Sequence, residues 1–190
     1  MDFHQPTFSS TIIVIEDLIL KSVCMSDATA FFKIIRENQD HFSDFDFISP
    51  NFESLKGVED VIRSLIDYKD AGNGVNYGLW RRNELIGLFT VNKVSWDKKE
   101  ADVGFWLTKP ATRQGLAKLA FQAFCNDLIG LGFRRLTATT AISNEHAQSL
   151  LSKVGFNKID EHKGSIIVRG QKIDEFLFVL SVPSSVSGGG

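Results

Sequence analysis

Leu107-Thr-Lys-Pro-Ala-Thr-Arg-Gln-Gly-Leu-Ala-Lys-Leu-Ala-Phe-Gln-Ala-Phe124 constrains the fold more than any other stretch of this chain. Pro110 restricts the residue before it to extended conformations, so a strand has to end near this point. Beyond Gly115, the residues Leu116, Leu119, Ala120, Ala123 and Phe124 fall at i, i+3, i+4, i+7 and i+8, the apolar face of a helix. The loop Thr112-Arg113-Gln114-Gly115-Leu116-Ala117, followed by Lys118, therefore runs directly into a first helical turn. Gly115 and Ala117 are small enough for a ligand to approach the backbone. The leading N–H groups of a helix have no intrahelical partner, and the helix dipole makes that end positive. Such an end suits a phosphate or pyrophosphate. The same loop also fits an ordinary helix start in which Gly115 serves only the turn. No Gly-Lys-Ser/Thr follows, and the glycines of a G-x-G-x-x-G turn are missing, so neither a P-loop nor a dinucleotide fingerprint is present.

The rest of the chain reads as a single mixed α/β domain over residues 1–182, followed by a low-complexity flexible tail, residues 183–190. Residues 1–10 read as a loose lead-in, and 11–23 as a strand or short hairpin. A helix capped by Ser26 or Asp27 carries Ala28, Phe31, Ile34 and Ile35 inward and ends near Asn38. Residues 39–53 are irregular and aromatic, with Phe42, Phe45, Phe47 and Phe52. They fit either a loop tucked on the core or the wall of an acceptor pocket. A second helix buries Val58, Val61, Ile62, Leu65 and Ile66 before the Gly72-Asn-Gly74 turn. Three strands, 76–81, 85–94 and 101–107, lead into the central helix, which Gly130-Leu-Gly132 closes. A strand at 135–140, a helix from Ser143 or Asn144 to Gly155, and a strand-rich end with a hairpin at Arg169-Gly170 complete the order. The expected core is one central, mixed, mostly antiparallel twisted sheet flanked by helices.

Bulk properties exclude several classes. Lys and Arg number 21 against 23 Asp and Glu, a net charge of −2, which argues against nucleic acid as a partner. Cys24 and Cys125 form no metal-ligand pair, no metal is expected, and two free thiols fit a reducing compartment. No signal peptide or membrane span is apparent, so the cytoplasm is the expected location and no membrane contact is expected. The sequence admits a homodimer.

Four segments carry a family resemblance. Ala101-Asp-Val-Gly-Phe-Trp-Leu107, with the loop and helix after it, resembles the central acetyl-CoA-binding region of the GNAT N-acetyltransferase superfamily. Asn144-x-x-Ala147-x-x-Leu150-x-x-Lys153-x-Gly155-Phe156 resembles that superfamily's next helix and turn. Leu18-Ile-Leu-Lys21 with Asp27-Ala28, and Val168-Arg-Gly-Gln-Lys-Ile-Asp174, look like the opening and last hairpin of the RimJ/RimL branch, the ribosomal-protein N-terminal acetyltransferases. The resemblance implies acetyl-CoA as cosubstrate and an amine acceptor, either a protein N-terminus or a small molecule such as a polyamine, amino acid or antibiotic. A non-catalytic acyl-CoA-binding module is the alternative from another class.

Site residues follow from the resemblance. Asp102 stands where the family has Glu and becomes the candidate base; a solvated strand-start acid, like Glu100, is its plain alternative. Phe105, Trp106 and Leu107 are expected to offer backbone groups to the acetyl and pantetheine arm, in a slot where this strand splays from its neighbour. Asn144 matches a cofactor-contacting Asn and is also a natural N-cap. Lys153 reaches the phosphates or is a surface lysine, and His146 is incidental. Thr112 replaces the usual Gln or Arg at the head of the loop, with Arg113 one place later. Leu151 and Ala147 occupy places where relatives carry a hydroxyl donor for the departing thiolate. Ser149, Ser152 or water are the substitutes. Positions 144, 147 and 151 share one helix face, so a Tyr at 151 is expected to raise turnover.

Overall fold

The computed structural model describes residues 6–40, 50–168 and 170–182. One eight-stranded sheet runs in the order β1-β2-β3-β4-β5-β6-β8-β7. Its strands are β1 Thr11–Ile15, β2 Leu18–Ser22, β3 Val75–Arg81, β4 Glu84–Ser95, β5 Glu100–Leu107, β6 Arg135–Ala141, β7 Asn157–Val168 and β8 Gln171–Ser181. Every neighbouring pair is antiparallel except β5 and β6. Among the described residues four α-helices flank it: α1 Ala28–Glu37, α2 Leu55–Asp70, α3 Leu116–Gly130 and α4 Glu145–Val154.

Local chemistry sets the connections. Arg82 and Asn83, with φ of 49° and 66°, make the two-residue turn whose twist matches the β3–β4 hairpin. Buried Asp27 accepts from the Cys24 N–H at 3.0 Å and from Lys21 Nζ at 3.3 Å, fixing the entry to α1. Ser54 caps α2 by accepting from the Gly57 N–H at 3.0 Å.

The sheet separates two apolar layers. On one face α1 and α2 bury Phe31, Ile34, Val58 and Ile62 against Leu85, Leu88 and Trp106. On the other, α3 packs its aromatic side chains into the main core. Phe89 is fully buried there, with ring centroids 5.8 Å from Phe105, 5.8 Å from Phe121 and 5.7 Å from Phe124. The α3 face is therefore Leu116, Ala120, Phe121, Phe124, Cys125 and Leu128, whereas Leu119 is 43% exposed. The ring cluster around Phe89 turns the helix away from the face expected from Leu119. Burial pushes the Cys125 thiol up to about 12, so it stays a neutral apolar group.

Residues 6–10 are not a loose lead-in. Phe8 is buried against the contacting rings of Trp96 and Phe133, at 5.6 Å and 6.5 Å, and Ser9 ties the segment across the core. The Tyr77 hydroxyl donates to the Ser9 carbonyl at 2.9 Å, and Ser9 Oγ donates to Asp127 at 2.7 Å. Residues 1–5, Phe42, Phe45, Phe47, Arg169 and residues 183–190, on which the expectations of an aromatic loop, a last hairpin and a flexible tail fall, lie outside the described residues. Phe89→Ala is expected to lower unfolding free energy by about 3–5 kcal/mol, because the cavity it leaves is walled by three rings. Urea denaturation measures this, and a loss under 1 kcal/mol, on the order expected for a surface site, would contradict the packing described.

Candidate active site

The sheet opens at its one parallel pair. β5 and β6 pair only through Glu100↔Arg135, Ala101↔Leu136 and Asp102↔Thr137. β5 nevertheless continues to Leu107, still registered with β4 up to Gly87↔Leu107, and β6 continues to Ala141. The two strands therefore fork after Asp102. β5 leads through a 3-10 turn at Lys109–Ala111 and the Gly115 loop into α3, and β6 leads through a short turn into α4, so the N-termini of α3 and α4 both stand at the open end of the fork. Two helix N-termini make that end electropositive.

Asp102 sits at the apex, partly buried. Its two oxygens accept from Asn92 Nδ2 at 2.9 Å and from Thr137 Oγ1 at 3.0 Å. Asn92 is the bulged residue of β4, where the register with β5 shifts between Val91 and Lys93. The bulge re-aims its side chain, which is a common use of such an insertion. Thr90 Oγ1 donates to Asn92 Oδ1 at 2.7 Å, and the Tyr68 hydroxyl donates to the Asn92 carbonyl at 2.6 Å. A chain Thr90–Asn92–Asp102–Thr137 thus crosses three strands. Gly104 makes room for it, since a Cβ there would lie 2.9 Å from Thr90 Oγ1 and 3.3 Å from Asn92 Nδ2. None of Thr90, Asn92, Thr137 or Tyr68 was indicated by sequence reasoning. A polar Asn inside an otherwise apolar strand pattern is the one signal that points to a bulge.

The loop before α3 leaves a helix end open. Arg113 and Gly115 take left-handed φ values of 60° and 77°. Gly115 is the N-cap of α3 and no side chain caps the helix. The Lys118 and Leu119 N–H groups bond back to the Gly115 carbonyl at 3.1 Å and 3.3 Å, which leaves those of Gly115, Leu116 and Ala117 directed out of the helix end. A Cβ on Gly115 would meet nothing within 4 Å, so the approach is open. Thr112 Oγ1 donates to the Lys109 carbonyl and Gln114 Nε2 to that of Pro110, both at 2.7 Å. Arg81 Nη1 donates to Gln114 Oε1 at 2.9 Å and its Nε lies 3.6 Å from Asp17. Thr112 and Gln114 therefore hold the loop's shape, while the exposed Arg113 and Lys118 supply charge beside it.

Other expected residues separate. Asn144 is a true N-cap, accepting from the Ala147 N–H at 3.1 Å, and it stands at the fork's open end. Lys153 is exposed nine residues on, about 13 Å further along α4 at 1.5 Å per residue. Leu151 is 1% exposed within the main core, which overturns the expectation that a side chain there faces the cofactor. Ser149 is exposed and lies about 200° around the helix from Leu151, so neither it nor exposed Ser152 joins Asp102. Phe105 packs on Phe121 at 5.0 Å and Leu107 is buried, so only their main-chain groups face the fork. Trp106 projects to the opposite face. There, with Phe31, Phe52, Val58, Ile62 and Leu88, it lines a cavity of about 110 Å³.

Residues 17–157, well over half of the chain, match the model of the acetyltransferase (GNAT) domain. The chain belongs to that family. YdaF of Bacillus subtilis (strain 168) is 23% identical over 176 residues, spanning 87% of this chain and 91% of YdaF. The ribosomal-protein-serine acetyltransferase of Escherichia coli (strain K12) is 23% identical over 150 residues, 78% of this chain and 83% of that enzyme. Among solved structures, RimL, a ribosomal L7/L12 α-N-protein acetyltransferase in complex with coenzyme A, superposes with a TM-score of 0.86 at 19% identity. That superposition covers 90% of this chain and 98% of RimL. GNAT domains take acetyl-CoA as cosubstrate, and the uncapped α3 terminus with open space at Gly115 suits its pyrophosphate.

Gly115→Glu places negative charge at that terminus, and acetyl-CoA affinity by calorimetry should fall at least about 100-fold. Gly115→Ala, which adds only left-handed backbone strain of about 1 kcal/mol, should cost about tenfold or less. Equal affinities for parent and Gly115→Glu would remove the loop from the site.

Proposed function

We propose that this acetyl-CoA-dependent N-acetyltransferase acts on the α-amine of a protein N-terminus in the cytoplasm, with Asp102 receiving the amine's proton. The observation that supports it is the position of the Asp102 carboxylate at the apex of the fork, oriented by Asn92 and Thr137. An ionised carboxylate has about four lone-pair sites, so two accepted hydrogen bonds leave it able to accept a third. An α-amine has a pKa near 8 and needs only a weak base, whereas a lysine amine near 10.4 needs a stronger one. The ribosomal-protein relatives favour the α-amine as well.

Acetyl-CoA supplies an acyl group activated as a thioester. The remaining work falls to the chain. Main-chain donors of β5 beyond Asp102 support the acyl oxygen as charge develops on it. The α3 terminus, Arg113 and Lys118 hold the phosphates, and Asn144 closes the other side of the fork. Among the described residues of α4, the expected positions offer no donor facing the fork: position 151 is core, position 147 is Ala, and Ser149 is exposed on the side away from Leu151. A thiol of pKa about 8.5 departs as thiolate at modest cost, so solvent supplies this proton.

Asp102→Asn should lower turnover by about 10²- to 10⁴-fold and make it rise steeply toward the acceptor's own pKa, with acetyl-CoA affinity retained within a few-fold. A parent-like pH–rate profile would place the base elsewhere. Leu151→Tyr should give no gain in turnover. It should instead overpack the core by about 1–3 kcal/mol, read as a lower denaturation midpoint. A rate increase would restore position 151 to the site.

A further inference from the structure

The face of the sheet that carries Asp102 also carries an apolar recess. β4 and β5 present three successive cross-strand pairs to the α1/α2 side: Asn92 over Asp102, Thr90↔Gly104 and Leu88↔Trp106. The first two are polar or bare, and the third is wholly apolar. Leu88 and Trp106 form the floor of the cavity of about 110 Å³, with walls from Phe31 of α1, Phe52, and Val58 and Ile62 of α2. Every lining residue among those described is apolar. We propose that this cavity receives the side chain of the acceptor's first residue, so that the enzyme prefers an N-terminal Leu, Ile or Met over a small or charged one. The inference rests on the reading of the acceptor as an α-amine.

Three properties select that occupant. Size is the first. A dry cavity of about 150 Å³ holds benzene, so this slightly smaller one fits a single aliphatic side chain and no larger group. Reach is the second. Strands rise about 3.3 Å per residue, so Trp106 lies about 13 Å along β5 from Asp102 on the same face, and an amine bonded to the carboxylate on its Gly104 side directs its side chain over bare Gly104 toward the cavity. Polarity is the third. An ammonium, carboxylate or hydroxyl brought into this lining would lose its hydration without a partner, which disfavours polyamines and N-terminal Asp, Lys or Ser. Half-buried Val61 and Leu65 of α2 complete the lining and set its depth.

The test is a set of peptides identical except for a first residue of Gly, Ser, Asp, Leu or Met, assayed with acetyl-CoA by thiol release. In the parent, kcat/KM for Leu and Met should exceed that for Gly and Asp by about tenfold or more, as expected for burying several methylenes. Val61→Trp fills the cavity, and Leu65→Trp serves if the first variant melts early. In a filled variant the Leu:Gly ratio should collapse toward unity, most of the loss falling on the Leu peptide. A parent ratio near unity, or a ratio kept in both filled variants, overturns the proposal. Binding needs no turnover and keeps the two readings apart. Calorimetry of Nα-acetyl-leucinamide against Nα-acetylglycinamide, with coenzyme A present, should favour the leucine compound. Equal binding overturns the cavity's role whatever the rates. Preferential binding without acetylation of any peptide upholds the cavity and removes the protein N-terminus as acceptor.

Discussion

A parallel ladder that stops after three residues governs the rest of this molecule. β5 and β6 could continue side by side, since both strands run on past Asp102↔Thr137. They diverge instead, and the sheet gains an internal edge whose main-chain groups are available to a ligand. Sheets ordinarily cover or pair such groups. Here the divergence is supported from both sides. The β4 bulge at Asn92 directs an amide onto Asp102, and Thr137 reaches the same carboxylate from β6. Asp102 therefore ties three strands at the point where the ladder ends, and the bonds that do so also orient the carboxylate proposed as the base.

The open end is equally prepared. Two helix N-termini converge there, one capped by Asn144 and the other left without a side-chain cap at Gly115. The Gly115 loop does not depend on a ligand for its shape. Thr112 and Gln114 bond to backbone carbonyls within it, and Arg81 anchors Gln114 from β3. A loop already held in its binding form avoids the ordering cost that a flexible one incurs on binding. The opposite face is covered by different elements, α1 and α2, with their own apolar layer, which is the side proposed for the acceptor.

Much of this was legible in sequence because it depends on local rules. Pro110 ended a strand, Gly115 and Gly155 took left-handed conformations at helix boundaries, and Asn144 capped a helix. What escaped depends on long-range packing. Leu119 and Phe121 fit an α3 stripe comparably by spacing, and only the cluster around Phe89 decides between them. Phe8 gave no periodic signal because its partners Trp96 and Phe133 are distant in sequence. Leu151 shares a face with Asn144 and Ala147, as spacing indicated, but that face turns into the core further along α4. The bulge at Asn92 has no Gly or Pro to announce it, so Thr90, Asn92 and Thr137 surfaced only in three dimensions.

The central claim is that the fork and the uncapped α3 terminus together receive acetyl-CoA. Amide nitrogen–hydrogen NMR during titration with acetyl-CoA tests it most directly, because it reports on the main-chain groups concerned. The account predicts large shifts at Gly115, Leu116 and Ala117 and across Val103, Gly104 and Phe105 of β5, with slowed hydrogen exchange at the loop amides and at those β5 amides that point away from β4. It predicts little change on β7 or β1 at the sheet's edges. Saturable binding that leaves those six amides unmoved would contradict it.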